Sequence, residues 1–318
     1  MGDTGMKIIR YKLGDSVGVS CPVVALGFFD GVHIAHRALI NKAVTLASEM
    51  GVPSAVFTFS SEDKDIKGGV KRLYTTEEKL DVISTLGVDV AIVADYSSLK
   101  DLSPEEFVRG TLSAEIGCTC AVAGFNFKFG KGATATSECL RALMEKNNGR
   151  AVIMDEYTHE GKTVSSTLIR ELLAEGRVDA ANTLLGAPYF LSGKVTHGEG
   201  MGKGLGFPTI NTDISNVEMR RGVYRTAIKL GSLVLPGITN VGTCPTLGIR
   251  TLHAETNIIG YDGDLYGKKV KIFFLEFIRD EIVFDSKEEL IMQINVDKIK
   301  VIERNRDIKW QEFGLSLP

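Results

Sequence analysis

The chain has 318 residues, 44% of them hydrophobic and 24% charged, enough apolar material for a sizeable core and enough length for two domains. Thirty-seven Lys and Arg stand against 40 Asp and Glu, a formal net charge of −3, which excludes nucleic acid as the main partner and leaves phosphate binding to local sites. The opening MGDTGMKIIRYKLGD is too polar for a signal peptide, and no apolar run approaches the roughly 18 residues of a membrane span, so a cytoplasmic protein with no membrane partner is expected. Five scattered cysteines (Cys21, Cys118, Cys120, Cys139, Cys244), mostly in apolar segments, suit reduced thiols. Cys118 and Cys120 form CxC, and no second pair completes a zinc site.

Up to about residue 186, β-rich runs alternate with helical patterns. PVVALGFF is followed by HIAHRALINKAVTLASEM, then SAVFTF, TEEKLDVISTLG, VDVAIVAD, SPEEFVRGTLSAEIG, TCAVAGFNF and TSECLRALMEKN. This order predicts βαβ units on a parallel sheet. Ser103-Pro104-Glu105-Glu106 supplies a cap, a proline at the first helical position and a glutamate three after the cap. LGAPYF at 185–190 marks a junction, with glycine and proline closing the previous helix. Beyond it, YFLSGKVTHGEG, GVYRTAIKLGSLVLPGITNVG and KKVKIFFLEFIRD predict an antiparallel sheet or barrel, closed by the helical SKEELIMQINVDKIKVIERN. The expected domains are 1–186 and 187–318.

GFFDGVHIAH at 27–36 carries the first chemistry. If PVVALGFF is a strand and a helix begins near His33, FDGV is a strand-to-helix turn at the carboxyl edge of a parallel sheet, where such folds bind ligands. Free N–H groups and the helix dipole attract anions there. His33 and His36 share a helical face and suit charge that develops on a phosphate in its transition state. A lone HxxH is more often just two structural histidines. VSSTLIREL at 164–172 offers a second helix start, with Ser165, Ser166 or Thr167 as cap and Arg170 one turn in, either an anion clamp or simply a well-capped helix.

The second half adds GKVTHGEGMGKGLGFPTIN at 193–211. It is not a Walker A loop, because Gly202-Lys203 precedes glycine rather than Ser or Thr, yet its glycines let main-chain N–H groups approach phosphates. Strand alternation turns Thr209 and Asn211 to one face, where a hydroxyl and an amide oxygen suit Mg²⁺; threonine in a strand is otherwise commonplace. In HAETNIIGYDGDLYGKKVKI, Glu255 and Asn257 share a face. A carboxylate there is either solvated or able to take a proton from a bound alcohol.

GFFDGVHIAH resembles the GxFDGxHxGH signature of the nucleotidyltransferase superfamily, and SSTLIR resembles its SSTxIR signature. With GFNFKFG between them, and with the glycine-rich arch, PTIN, GVY, NVGTCPT and DLYG in the second half, the chain resembles bacterial bifunctional riboflavin kinase/FAD synthetases over roughly residues 6–305. The resemblance implies an α/β, Rossmann-like nucleotidyltransferase domain followed by an antiparallel β-barrel riboflavin kinase domain with a C-terminal helix. It implies two ATP-dependent reactions with Mg²⁺, riboflavin to FMN and FMN to FAD. His33, His36 and Arg170 are then the residues that stabilise the α-phosphate, with Gly27, Phe28, Asp30, Asn126, Ser165, Ser166 and Thr167 holding nucleotide or flavin. Glu255 is then the kinase base, Thr209 and Asn211 the metal ligands, and Gly198, Gly202, Lys203, Gly206, Phe207 and Pro208 part of a flap over ATP. The chain departs from the family pattern at Ala35, where glycine is usual, at Asn257, where histidine is frequent, and at TFSSEDKDIKGG, which has no Pro-His-Pro segment. A riboflavin kinase with a non-catalytic N-terminal domain is the alternative these departures leave.

Overall fold

Four apolar runs, VVAL, SAVFTF, VAIVA and CAVAG, are buried almost end to end, as strands are when both faces of a parallel sheet are covered. The computed structural model describes residues 5–15, 17–18, 20, 22–62, 70–196, 204, 206–214, 217–244 and 249–305. They form two compact units, Met1–Ser166 and Thr167–Pro318.

In the first unit, β1 (Lys7–Tyr11), β2 (Val23–Leu26), β3 (Ser54–Phe59), β4 (Val90–Ala94) and β5 (Cys120–Gly124) lead, after a small antiparallel pair of β6 (Lys128–Phe129) and β7 (Ala135–Thr136), to β8 (Arg150–Met154). The six long strands lie in the order β1-β4-β3-β2-β5-β8, all parallel. From β2 the chain moves outward through β3 and β4 on one side, then returns to place β5 and β8 on the other. Strand order therefore reverses between β2 and β5, and the loops leaving their carboxyl ends flank the crevice where open α/β sheets take ligands.

The helices begin where local chemistry dictates. α1 (Ile34–Met50) ends at Gly51, whose left-handed backbone lets its N–H reach the Ala47 and Ser48 carbonyls. α2 (Thr76–Ser84) opens with a reciprocal capping box between Thr75 and Glu78. α3 (Tyr96–Leu99) is a single turn capped by Asp95. The Ser103 signature does start a helix, α4 (Pro104–Glu106), with its capping box to Glu106, but Phe107–Glu115 then continues in wider π-helical turns rather than the α-helix expected. α5 (Ser137–Lys146) precedes β8. A two-stranded ribbon, β9 (Thr158–His159) with β10 (Lys162–Thr163), completes the unit.

α6 (Ser166–Ala174) opens at the division, and α7 (Val178–Leu185) follows. Both attach to the second unit: the Leu173 carbonyl accepts from Arg220 N, and Asn182 Nδ2 donates to the Phe274 carbonyl. Gly186 stops α7 in the left-handed conformation, so the expected junction at 186/187 marks the change from helix to strand.

Beyond it lie β11 (Tyr189–Lys194), β12 (Thr209–Asp213), β13 (Gly222–Leu230), β14 (Leu233–Cys244), β15 (Ile249–Ile258) and β16 (Lys269–Arg279), in the antiparallel order β11-β16-β13-β14-β15-β12. The sheet curls until its ends meet: Thr196, just past β11, bridges Asn211 of β12. Gly193 makes that approach possible, because a Cβ there would sit 1.9 Å from Thr212 Cγ2. Inside, the hydroxyls of Thr226, Thr239 and Thr256 form a fully buried chain, 2.8 and 2.9 Å apart. α8 (Lys287–Asn305) covers the outer face, with Val301 against Val223 and Ile238 and the Asp297 carboxylate accepting twice from Arg279, at 2.9 and 2.7 Å.

Candidate active sites

The loop after β2 runs from Gly27 to His33. Phe29, Gly31 and Val32 have positive φ (55°, 79° and 43°), a conformation that costs two of the three residues steric strain and is held by the buried surroundings. Phe29 folds its ring over Gly27, where a Cβ would lie 2.8 Å from ring carbons, so glycine is required there. Asp30 is buried, and its carboxylate accepts from Leu73 N at 2.9 Å while its carbonyl accepts from Ser166 Oγ, also at 2.9 Å. Both groups thus brace the turn. Ser166 reaches back to this loop and is not the helix cap, a position that falls to Ser165, immediately before α6.

His33 is itself the cap of α1: its Nδ1 accepts from His36 N at 3.3 Å. The two imidazoles stack, with centroids 3.6 Å apart and planes 15° from parallel, and Phe29 meets the His36 ring edge-on. The backbone N–H groups of Ile34 and Ala35 have no acceptor among the described residues, as the first turn of a helix requires. Burial pushes His33 down to about 4, and burial, then the neighbouring His33 and Lys79, hold His36 well below its ordinary value. Both rings are therefore neutral near pH 7. With Nδ1 of His33 occupied as acceptor, the hydrogen-bond pattern assigns its one proton to Nε2, which is left as a donor.

Across the switch point, β5 ends at Gly124 and Asn126 follows, exposed. Of the three phenylalanines around it, Phe127 and Phe129 stack on one another and join the core, which settles them as packing residues, while Phe125 is exposed at the strand's carboxyl end. Where the family has Pro-His-Pro, Ser60, Ser61 and Glu62 close on the start of α2: Glu62 Oε1 accepts from Thr76 N at 2.8 Å, Ser61 N donates to Thr76 Oγ1 at 2.7 Å, and Ser60 Oγ donates to Glu62 Oε2 at 2.7 Å. A cleft of about 430 Å³, with Arg10, Lys12, Ser60, Glu62 and Asp95 in its wall, opens at the carboxyl ends of β1, β3 and β4. In the second unit, Arg170 Nη2 donates to Thr167 Oγ1 at 3.2 Å within α6.

The barrel carries another cluster. β12 pairs with β15 so that Thr209 faces Asn257 and Asn211 faces Glu255, while β14 sets Asn240 against Glu255 from the other side. Thr209, Asn211 and Glu255 are all half-buried on one face. Thr209 Oγ1 donates to Glu255 Oε1 at 2.7 Å, which leaves Oε2 without a partner among the described residues. Asn257 does not point at Glu255; its Nδ2 donates to the Pro208 carbonyl at 2.8 Å and fixes the start of β12. Gly206 has φ +84° with open space around it, Phe207 is half-buried and Pro208 exposed. Gly198, Gly202 and Lys203 lie outside the described residues. The described residues hold no cluster of three His, Cys, Asp or Glu able to bind a metal, and Thr209 with Asn211 is an oxygen set of another kind.

Sequence reasoning missed Lys79, Arg72 and Asn240. Lys79 sits on the apolar stripe of α2 with Thr76, Leu80 and Ile83, a signal present in the spacing. Arg72 lies 4.7 Å over the Phe28 ring, and no pattern in the chain announces it. Asn240 joins Glu255 only through strand register.

A parallel sheet with a histidine-capped helix at its switch point, followed by a closed antiparallel sheet bearing a Thr/Asn/Glu cluster, defines a two-site nucleotide-dependent transferase. The comparisons agree. The FAD synthetase family matches residues 19–168 and the riboflavin kinase family residues 185–304. The bifunctional riboflavin kinase/FMN adenylyltransferase of Bacillus subtilis (strain 168) is 33% identical over 292 residues, 88% of this chain and 91% of that protein. Its counterpart in Escherichia coli (strain K12) is 31% identical over 322 residues, 98% of this chain and all of that protein. A crystal structure described as a macrolide-efflux protein from Streptococcus pneumoniae superposes with a TM-score of 0.83 at 28% identity, over 93% of this chain and 99% of that one. Among the described residues no helix is long and apolar enough to cross a membrane. The chain belongs to the family of bifunctional riboflavin kinase/FMN adenylyltransferases, with both catalytic domains present.

Proposed function

We propose that residues 187–318 phosphorylate riboflavin to FMN and residues 1–186 adenylylate FMN to FAD, each with its own ATP. One observation carries the two-site reading: the His33–His36 stack and the Thr209–Asn211–Glu255 cluster lie in different compact units, each built within its own sheet. Two family matches in the same order support it over a kinase with an inert first domain.

In the kinase reaction, Glu255 accepts the proton of the ribityl 5′-hydroxyl as that oxygen attacks the γ-phosphorus of ATP, giving FMN and ADP. The Thr209 hydrogen bond fixes the carboxylate and leaves Oε2 to take the proton. Thr209 and Asn211 are the residues that would hold Mg²⁺, because their oxygens share a face beside a carboxylate and the ion accepts oxygen ligands. When bound, the ion neutralises charge on the nucleotide's phosphates. Gly206, Phe207 and Pro208 belong to the flap over that nucleotide.

In the adenylyl transfer, the FMN phosphate attacks the α-phosphorus of ATP and pyrophosphate leaves. The nucleophile is already an anion, so no general base is needed and the protein supplies position and charge. His33 and His36 donate to the α-phosphate as neutral imidazoles, beside the unpaired N–H groups at the start of α1. Gly27, Phe28, Asp30, Asn126, Ser165 and Ser166 shape the nucleotide and flavin site, and the family resemblance gives Arg170 and Thr167 the same substrate.

The test is chromatography of two reactions with purified protein, Mg²⁺ and ATP, one supplied with riboflavin and one with FMN. FMN followed by FAD in the first, with FAD in the second, is the expected result. FMN alone in the first and nothing in the second means a kinase with a silent N-terminal domain.

A further inference from the structure

Lys79 has no exposed surface. Its ammonium donates to the Phe59 carbonyl at 2.7 Å, the Phe28 carbonyl at 3.0 Å and Thr58 Oγ1 at 3.1 Å, and it stands 4.5 Å from the centre of the Phe28 ring. Thr58 Oγ1 donates in turn to the Phe28 carbonyl at 2.9 Å. A protonated lysine has three N–H donors, and these three acceptors use them all. One side chain of α2 thereby ties the last residue of β3 to the loop after β2. That loop is the strained segment with positive φ at Phe29, Gly31 and Val32, and it ends at the cap of α1. Strain of this kind persists only where the surroundings over-determine it. A buried ammonium is also costly, and an apolar residue at a helical core position would avoid the cost, so the loop's geometry is what this lysine is fitted to.

We propose that Lys79 is a positioning residue for adenylyl transfer: it clamps the Phe28 carbonyl so that the Gly27–Val32 turn presents His33, His36 and the free N–H groups of α1 to the nucleotide. The inference rests on the reading that these groups face the α-phosphate. It goes beyond that reading by making the turn depend on a single titratable clamp. Among the described residues, four charged or titratable groups interact with Lys79. Asp30 and Glu62 favour its protonated form and Arg72 opposes it, while His36, neutral in this range, is itself held down by the lysine's charge. Burial outweighs the two carboxylates and brings the lysine down to about 7. As pH rises through that value the ammonium loses a proton, one of its three hydrogen bonds has no donor, and the charge under the turn is gone. The histidines titrate far lower, so a change near pH 7 is not theirs.

The experiment uses the full chain and follows kcat/KM for FAD formation from FMN and ATP between pH 6.5 and 9, with FMN formation from riboflavin as the reference in the same preparation. Expected is a fall of roughly tenfold per pH unit above the lysine's titration in adenylyl transfer alone. Lys79→Arg, charged at every pH, removes that limb while keeping at least about a tenth of the activity at pH 6.5; Lys79→Met loses on the order of 100-fold, the scale of a small misplacement of catalytic groups. A wild-type profile with no such limb overturns the proposal, and so does a limb that persists in Lys79→Arg or adenylyl transfer within threefold of wild type in Lys79→Met. The wild-type profile decides even if a variant fails to fold. A wild-type protein that forms no FAD at any pH sinks the underlying reading instead, which separates the two failures.

Discussion

Nδ1 of His33 accepts the backbone N–H of His36, so the cap of α1 and the candidate phosphate donor are opposite edges of one ring. The two duties can be separated. Asn at position 33 places an oxygen where Nδ1 was and nothing where Nε2 was, whereas Gln extends an amide toward the Nε2 position and gives up the cap. His33→Asn should keep stability and lose FAD formation by about 10²-fold or more, the range for removing a positioned transition-state donor. His33→Gln should retain more activity and lose about 1 kcal/mol of stability, the usual cost of an N-cap. Steady-state FAD formation and thermal unfolding of both variants check this; equal activity losses would show that Nε2 has no special part.

The same burial sets a pH dependence of folding. An unfolded histidine has a pKa near 6.5 and His33 holds about 4, so between these values the unfolded chain binds the proton and the folded one does not. Stability contributed by neutral His33 is complete above pH 6.5 and is lost as pH falls toward 4. At about 1.4 kcal/mol per pKa unit the full loss is on the order of 3 kcal/mol, and His36 adds in the same direction. Calorimetry should show the transition of the first unit moving down in temperature from pH 7 to pH 5, by less in His33→Asn. A transition that stays level over this range would contradict neutral, buried imidazoles.

The local parts of both sites were readable in the chain. GFFDGVHIAH announces a strand, a turn and a helix start because each residue acts on its neighbours, and PTIN places Thr209 and Asn211 together by alternation alone. What could not be read depends on partners distant in sequence. The spacing of α2 puts a lysine on its apolar face, but the acceptors that allow its burial are 20 and 51 residues away. Ser166 looks like a helix cap from its motif and is instead drawn to the Asp30 carbonyl, 136 residues away. Asn240 meets Glu255 through strand register, which no local signal specifies. The helices α6 and α7 read as the tail of the first domain because they follow its pattern, and no local signal names the Arg220 and Phe274 partners that Leu173 and Asn182 bond.

Thr209 and Glu255 make a matched pair of expectations for the kinase. Glu255→Gln keeps the shape and the Thr209 contact but cannot take a proton, so FMN formation should fall by about 10²- to 10⁴-fold. Conversion of added FMN to FAD should be unaffected. Thr209→Val removes the hydroxyl and should raise the Mg²⁺ concentration needed for half-maximal kinase rate, whereas Thr209→Ser should not. Activity measured across a Mg²⁺ titration checks both. If Glu255→Gln stopped both reactions in a folded protein, the separation of sites would be wrong.

The seam of the curled sheet gives the sharpest structural test. Gly193 on β11 faces Thr212 on β12, and a Cβ at 193 would fall 1.9 Å from Thr212 Cγ2, while its next contact, with Thr212 Cβ, would be an ordinary 3.4 Å. Gly193→Ala should therefore push β12 outward and displace Asn211, whose carbonyl accepts from Thr196 N at 2.9 Å across the same seam. A loss of about 1–3 kcal/mol in the second unit is expected from overpacking of this kind, together with a lower kinase rate and unchanged adenylyl transfer. Thr212→Ala removes the offending methyl and a buried hydroxyl with no partner among the described residues, and so should cost little on its own. The double variant should then recover most of the stability and kinase rate that Gly193→Ala loses, a coupling that residues out of contact do not show. Additive losses in the four-way cycle of unfolding free energies would mean that the seam yields by moving backbone rather than by the contact between these two residues.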